Sequence, residues 1–168
     1  MYTDFYEIES NFQMGDHIEI MKTLSKKRDS VAYSVLTPNI KGLRTALDCG
    51  AKEVAIFGAV SETFTQKNIN CSISESLKRF EEVANEANNA GVKLRGYVSC
   101  VVGCPYEGSI EPKQVTLVTK ALLGMGCYEV SLGDTIGVGT AGTYLGAITF
   151  YVDKVEGGRG LPNVYAST

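Results

Sequence analysis

Histidine is almost absent from this chain of 168 residues: His17 is the only one. A tetrahedral zinc site wants four nitrogen or sulfur ligands, so one assembled from His17 and the cysteines is disfavoured. No apolar run approaches the ~20 residues that a membrane helix needs. The first ten residues, MYTDFYEIES, lack a basic flank followed by an apolar stretch. They also lack the Arg-rich, acid-poor character of a transit peptide, so no targeting segment is expected within the chain. Concentrated positive charge is missing as well. Sixteen Lys and Arg face 19 Asp and Glu, for a net charge of -3. The densest basic run, Lys26-Lys27-Arg28, reads as a solvated helix end, and nucleic acid is excluded as a partner. The five cysteines (Cys49, Cys71, Cys100, Cys104, Cys127) are odd in number and irregular in spacing. That speaks against a disulfide framework and for reduced thiols. Cys100 and Cys104 make a C-x3-C pair without a second pair, and all five read most simply as small buried apolar side chains.

What the chain does have is material for a core. It is 44% hydrophobic and 21% charged, a globular composition at the length of one domain. A unit recurs three times, in which an amphipathic stretch ends at a glycine and a β-branched strand follows. Leu43 to Cys49 leads through Gly50 to a strand at Glu53 to Phe57. Leu77 to Ala90 leads through Gly91 to Lys93 to Val98. Val115 to Gly124 leads through Gly126 to Tyr128 to Leu132. A glycine just past a helix adopts the left-handed conformation cheaply and turns the chain back. These glycines lie roughly 35 to 40 residues apart, room for one strand, one loop and one helix. Ser72-x-x-Glu75 reads as a capping box. Pro112 suits a first helical turn, and so does Pro38 after a strand at Val31 to Leu36. An earlier strand is expected within Phe5 to Glu9, followed by a helix over Ile18 to Ser25.

The resulting order, β-α-β-α-β-α-β-α-β, predicts parallel strands joined by right-handed crossovers. An open doubly wound sheet and part of a barrel both fit. The phosphate fingerprint G-x-G-x-x-G is absent from the first turn, which weakens a dinucleotide fold. Polar residues cluster just after the strands: Thr37-Pro38-Asn39, Ser61-Glu62, Ser99-Cys100 and Gly133-Asp134-Thr135. In a βα-barrel those strand ends carry the chemistry. A full barrel takes about 250 residues and eight units, whereas the pattern offers five strands. Beyond Thr140 it yields no clear further βα unit. The expected organisation is a partial βα-barrel domain over residues 1–140 and a divergent tail over 141–168.

Longer strings are more specific. FGAVSETFTQKNINCSISES, RGYVSCVVGCPYEG and GCYEVSLGDTIGVGT, with LTPNIKG at 36–42 and QMGDH at 13–17, closely resemble the 3-hydroxy-3-methylglutaryl-CoA lyases. The similarity is nearly continuous from about Gln13 to Thr140. The resemblance implies an α/β fold, a partial TIM (β/α)8 barrel holding strands two to six. It implies cleavage of 3-hydroxy-3-methylglutaryl-CoA to acetyl-CoA and acetoacetate with a divalent metal, Mg²⁺ or Mn²⁺. A base takes the tertiary hydroxyl proton, the carbon–carbon bond breaks, and charge develops on a thioester enolate. The metal acts as a Lewis acid, and preorganised donors stabilise the enolate. Matched positions imply catalytic roles for Arg95, Tyr97 and Asp134. They imply substrate contacts for Ser131, Thr135, Asn68 and Ser72, the last two near the CoA moiety. Glu7 or Glu9 would stand in for a strand-two glutamate. A homodimer and a mitochondrial matrix location, with cytoplasm or peroxisome as alternatives, are further implications.

The chain departs from the family's pattern in three places. No Arg-Asp-Gly occurs; Arg28-Asp29-Ser30 falls at a predicted helix end. No His-x-His metal pair occurs, since His17 stands alone. The late glycine-rich catalytic loop is missing, and Gly103-Cys104-Pro105-Tyr106 matches the family's earlier, non-catalytic copy of that motif. The metal ligands are therefore not in this chain, and it alone is expected to be inactive. Two other functions stay open: a non-catalytic, truncated acyl-CoA- or partner-binding remnant, and another acyl-CoA barrel aldolase or synthase. Open sheet edges would invite association. Taken without the resemblance, Asp134 reads equally as a cap or turn residue, Arg95 as half of a structural ion pair, Tyr97 as core, and His17 as an exposed loop residue.

Overall fold

The computed structural model describes residues 3–4, 16–26, 31–143 and 163–167. The elements in chain order are β1 (Thr3–Asp4), α1 (His17–Leu24), β2 (Ser34–Leu36), α2 (Ile40–Asp48), β3 (Glu53–Ala59), α3 (Glu62–Ile69) and α4 (Ile73–Asn89). They continue with β4 (Lys93–Ser99), β5 (Gly103–Cys104), β6 (Gly108–Ser109), α5 (Pro112–Gly124), β7 (Glu129–Gly133) and β8 (Asn163–Ser167). Six strands form one sheet in the order β1-β2-β3-β4-β7-β8, and β5 and β6 form a small antiparallel ribbon. The chain divides into two compact units. One comprises Met1–Ile56 with Arg79–Arg95, the other Phe57–Lys78 with Gly96–Thr168.

In the first unit β1 pairs parallel with β2, and β2 with β3, with Val35 opposite Val54. Helix α4 buries Phe80, Val83, Ala84 and Ala87, spaced as one face of a 3.6-residue helix. Arg44 of α2 grips Glu86 of α4 through two hydrogen bonds of 2.8 and 2.9 Å. His17 is not the exposed loop residue that its Gly-Asp-His setting suggests. It opens α1 at 2% exposure, because i, i+4 spacing puts it beside Met21 on the helix's buried face. Helix α2 is capped by Asn39, whose side chain accepts the Gly42 N–H at 2.8 Å. Pro38 therefore precedes the cap instead of sitting in the first turn.

In the second unit α5 packs closely on the sheet because two strand positions carry no side chain. A Cβ on Gly58 would lie 3.1 Å from Val118, and one on Gly96 would lie 3.1 Å from Val130 and 3.2 Å from Leu122. Pro112 begins α5, as its fixed φ suits. Gly91 and Gly126 both have positive φ, at 67° and 98°, the helix-ending conformation that their positions in the sequence predict. Past Thr140, where the sequence pattern offers no further strand, β8 pairs parallel with β7 over five residues, from Glu129 opposite Asn163 to Gly133 opposite Ser167. Ladder hydrogen bonds supplied by β7 stabilise this short segment, which has no strong periodicity of its own. The strand expected within Phe5 to Glu9, the Glu7 and Glu9 positions, and Lys27 and Arg28 lie outside the described residues.

Candidate active site

Strand β4 alternates regularly. Leu94, Gly96 and Val98 are buried, while Arg95, Tyr97 and Ser99 are half-buried. Successive strand residues point to opposite faces. Gly96 faces Leu122 of α5, so Tyr97 and Ser99 lie on the face turned away from that helix, and Arg95 shares their side of the strand. On β7, Val130 faces Gly96. Ser131, which is 2% exposed, is therefore on the side of β7 away from the helix. Within the second unit, Tyr97 and Ser131 thus fall on strand faces turned away from α5.

The carboxyl ends of β3, β4 and β7 are laced together. Val60 N–H donates to the Ser99 carbonyl at 3.2 Å, and Val101 N–H to the Gly133 carbonyl at 3.2 Å. Cys100 N–H donates to the Thr135 hydroxyl at 2.8 Å. Cys100 is fully buried with φ at 64°, a left-handed backbone on a residue that carries a Cβ. Such strain persists only where the surroundings over-determine it. Burial pushes its thiol up to about 11, against the lowering effect of Thr135.

Asp134 anchors its own loop. Its Oδ1 accepts the Gly137 N–H at 3.0 Å and its Oδ2 the Gly139 N–H at 2.6 Å. The Gly139 N–H, with Val138, Gly137 and Ile136 assisting against desolvation, holds the carboxyl below its ordinary value of 3.8.

A third group joins the β5–β6 ribbon to the start of α3, an element that sequence reasoning missed. Ser61, fully buried, caps α3 by accepting the Phe64 N–H at 3.0 Å. The Cys104 thiol donates to Ser61 Oγ at 3.0 Å and receives the Tyr106 N–H at 3.4 Å. Glu107 Oε1 accepts the Thr63 N–H at 2.7 Å, where the positive end of the helix favours an anion. Tyr106 lies against Phe64, with Lys67 Nζ 5.0 Å from its ring centroid. On the ribbon's other side, a Cβ on Gly103 would meet Val138 at 3.1 Å.

Ser72 performs the capping role that its spacing predicts. Its hydroxyl donates to Glu75, whose carboxylate also accepts the Ser72 N–H, both at 2.9 Å. Asn68 is exposed on α3. Among the described residues, no group of three or more His, Cys, Asp or Glu side chains is placed to hold a metal ion, and the only histidine lies in α1. These donors do not fit a divalent metal.

Polar residues at the carboxyl ends of parallel strands fit both an open sheet and a barrel, and the comparisons decide for the barrel class. The sequence profile described as HMGL-like matches residues 3–162, and the chain belongs to that family. It is 59% identical over 143 residues to a mitochondrial hydroxymethylglutaryl-CoA lyase of Bos taurus, covering 85% of this chain and 44% of the relative. It is 53% identical over 156 residues to a cytoplasmic 3-hydroxy-3-methylglutaryl-CoA lyase of Danio rerio, covering 93% of this chain and 46% of the relative. The chain therefore spans less than half the length of these curated relatives. The solved HMG-CoA lyase of Brucella melitensis superposes with a TM-score of 0.85 at 38% identity, over 98% of this chain and 65% of its own. The enzyme from Pseudomonas aeruginosa gives 0.84 at 42% identity, over 98% and 62%. The fold class is accordingly α/β, part of a TIM barrel.

Proposed function

We propose that this chain supplies a substrate-facing wall of a lyase that cleaves 3-hydroxy-3-methylglutaryl-CoA to acetyl-CoA and acetoacetate. The observation that carries this is the placement of Tyr97 and Ser131 on strand faces away from α5, with Arg95 two residues before Tyr97 on β4. Arg95 would supply a fixed cation for the substrate's negative charge, and Tyr97 a hydroxyl directed at the reacting oxygen. Ser131 and Thr135 would hold the acyl group, and Asn68 and Ser72 the CoA end. Asp134 acts from its anchored loop as a carboxylate beside the reacting centre. The relatives are named as mitochondrial or cytoplasmic enzymes, and for this chain we propose the mitochondrial matrix. A homodimer belongs to the same proposal.

The described donors do not fit Mg²⁺ or Mn²⁺, and Arg-Asp-Gly and His-x-His are absent from the sequence. We therefore propose that the 168-residue chain alone releases no acetoacetate. A chimera tests the first half: the matching 143-residue stretch of the bovine relative is replaced by this chain's residues. Acetoacetate release is expected, and Arg95→Ala should cut kcat/KM by roughly 100-fold or more. A folded but inactive chimera overturns the substrate reading. Acetoacetate released by the purified 168-residue chain overturns the second half.

A further inference from the structure

Asn70, Cys71 and Ser72 turn the chain from α3 into α4. Two side chains of α3 hold this turn, one at each end. Glu62 and Gln66 lie four residues apart, on one face of that helix. Glu62 Oε2 accepts the Ile73 N–H at 2.9 Å. Ile73 opens α4, so its N–H has no partner within the helix. The capping box does not supply one. Ser72 Oγ accepts the Glu75 N–H at 3.2 Å, and the Glu75 carboxylate accepts the Ser72 N–H and hydroxyl in return. Glu62 therefore completes the cap, with its charge at the positive end of a 17-residue helix. At the other end of the turn, Asn70 closes α3 in the left-handed conformation, with φ at 50°. Gln66 Nε2 donates to Asn70 Oδ1 at 2.8 Å and secures it there. Cys71, 3% exposed, anchors the middle. Glu62, Gln66 and Asn70 are all exposed, and such hydrogen bonds add little to global stability. Their effect is local: they fix how α3 meets α4.

We propose that Glu62, with Gln66 as its counterpart, is a positioning residue for the CoA end of the substrate. By holding the turn, the pair fixes Asn68 in the last turn of α3 relative to Ser72 at the head of α4. The inference rests on the reading that Asn68 and Ser72 meet CoA. Groups carried beside a loop bind with precision only when their supports are locked, and a displacement of about 1 Å weakens their action many-fold. Glu62 acts through the Ile73 amide and not on the substrate. Its loss therefore falls on affinity for the nucleotide-bearing part of the substrate. Cleavage, assigned to residues of β4 and of the loop after β7, keeps its rate.

Hydrogen exchange of the 168-residue chain, followed by nuclear magnetic resonance, reads the clamp itself. The Ile73 amide should exchange about tenfold faster in Glu62→Ala than in the parent. Glu62→Gln, which keeps an acceptor oxygen, should stay near the parent. Equal exchange in the parent and Glu62→Ala overturns the proposal. The bovine chimera reads the consequence. There Glu62→Ala should raise KM for 3-hydroxy-3-methylglutaryl-CoA about fivefold or more and leave kcat within about twofold. KM for the corresponding N-acetylcysteamine thioester, which lacks the nucleotide, should not change, and Glu62→Gln should restore the parent KM. A KM that rises equally for both thioesters marks a merely structural residue and overturns the proposal, as does a fall in kcat alone. An active chimera whose KM ignores Glu62→Ala overturns this proposal and leaves the lyase reading standing. An inactive parent chimera overturns both. Gln66→Ala, expected to raise KM in the same selective way, decides the matter if Glu62→Ala fails to fold.

Discussion

The Thr135 hydroxyl accepts the Cys100 backbone N–H at 2.8 Å, joining the residue after β4 to the loop after β7. This bond holds a left-handed residue in place and ties the loop that Asp134 anchors to the end of β4. Replacing the acceptor with an isosteric methyl leaves a part-buried N–H without its partner. Thr135→Val is expected to lower stability by about 1 to 2 kcal/mol, while Thr135→Ser stays near the parent. Urea unfolding of the three proteins measures this. Equal midpoints for Val and Ser would remove the bond from the account of this strand end.

Gly96 is a packing requirement. An added Cβ would sit 3.1 Å from Val130, 3.2 Å from Leu122 and 3.3 Å from Cys127. Gly96→Val is expected to cost about 1 to 3 kcal/mol through overpacking. Gly124→Ala, where a Cβ meets nothing within 4 Å, serves as the tolerated control. Thermal melts should separate the two clearly; a neutral Gly96→Val would show that α5 shifts freely on the sheet.

Glu107 links stability to pH. The Thr63 hydrogen bonds hold its carboxyl below the ordinary value of 4.5. A depressed folded value means the ionised form favours the fold. The contribution is complete above the unfolded value and is lost as pH falls through the folded one. Glu107 is exposed, so solvent screening limits it to about 0.3 kcal/mol. The parent should exceed Glu107→Gln in melting temperature by a constant margin at neutral pH, and the margin should vanish in acid below the usual carboxylate range. A margin that persists to the lowest pH at which the protein stays folded would argue against an electrostatic origin.

The sheet order leaves β1 and β8 with one neighbour each among the described strands. Unpaired strand edges recruit other chains. The purified 168-residue chain is therefore expected to elute as concentration-dependent oligomers in size-exclusion chromatography with light scattering. A single monomer peak at every concentration would contradict this.

The chain's own pattern was sufficient for β2, β3, β4, β7, α2, α4 and α5. Their periodicities are strong, and glycines that reverse the chain close α2, α4 and α5. The Ser72–Glu75 cap was equally legible, because both partners lie three residues apart. Arg95 and Tyr97 were marked out by the resemblance, and the alternation of burial along β4 in the structure puts both on one side. Other features were not visible this way. Helix α3 is short and polar, β5 and β6 have two residues each, and β8 forms through its pairing with β7. His17 reads as a loop residue until α1 turns it toward Met21. Tertiary structure alone brought Thr135 to Cys100 and Ser61 to Cys104, partners separated by 35 and 43 positions. The reason is physical: local periodicity encodes which face a side chain takes, while contacts between strand ends depend on how the strands are ordered in the sheet.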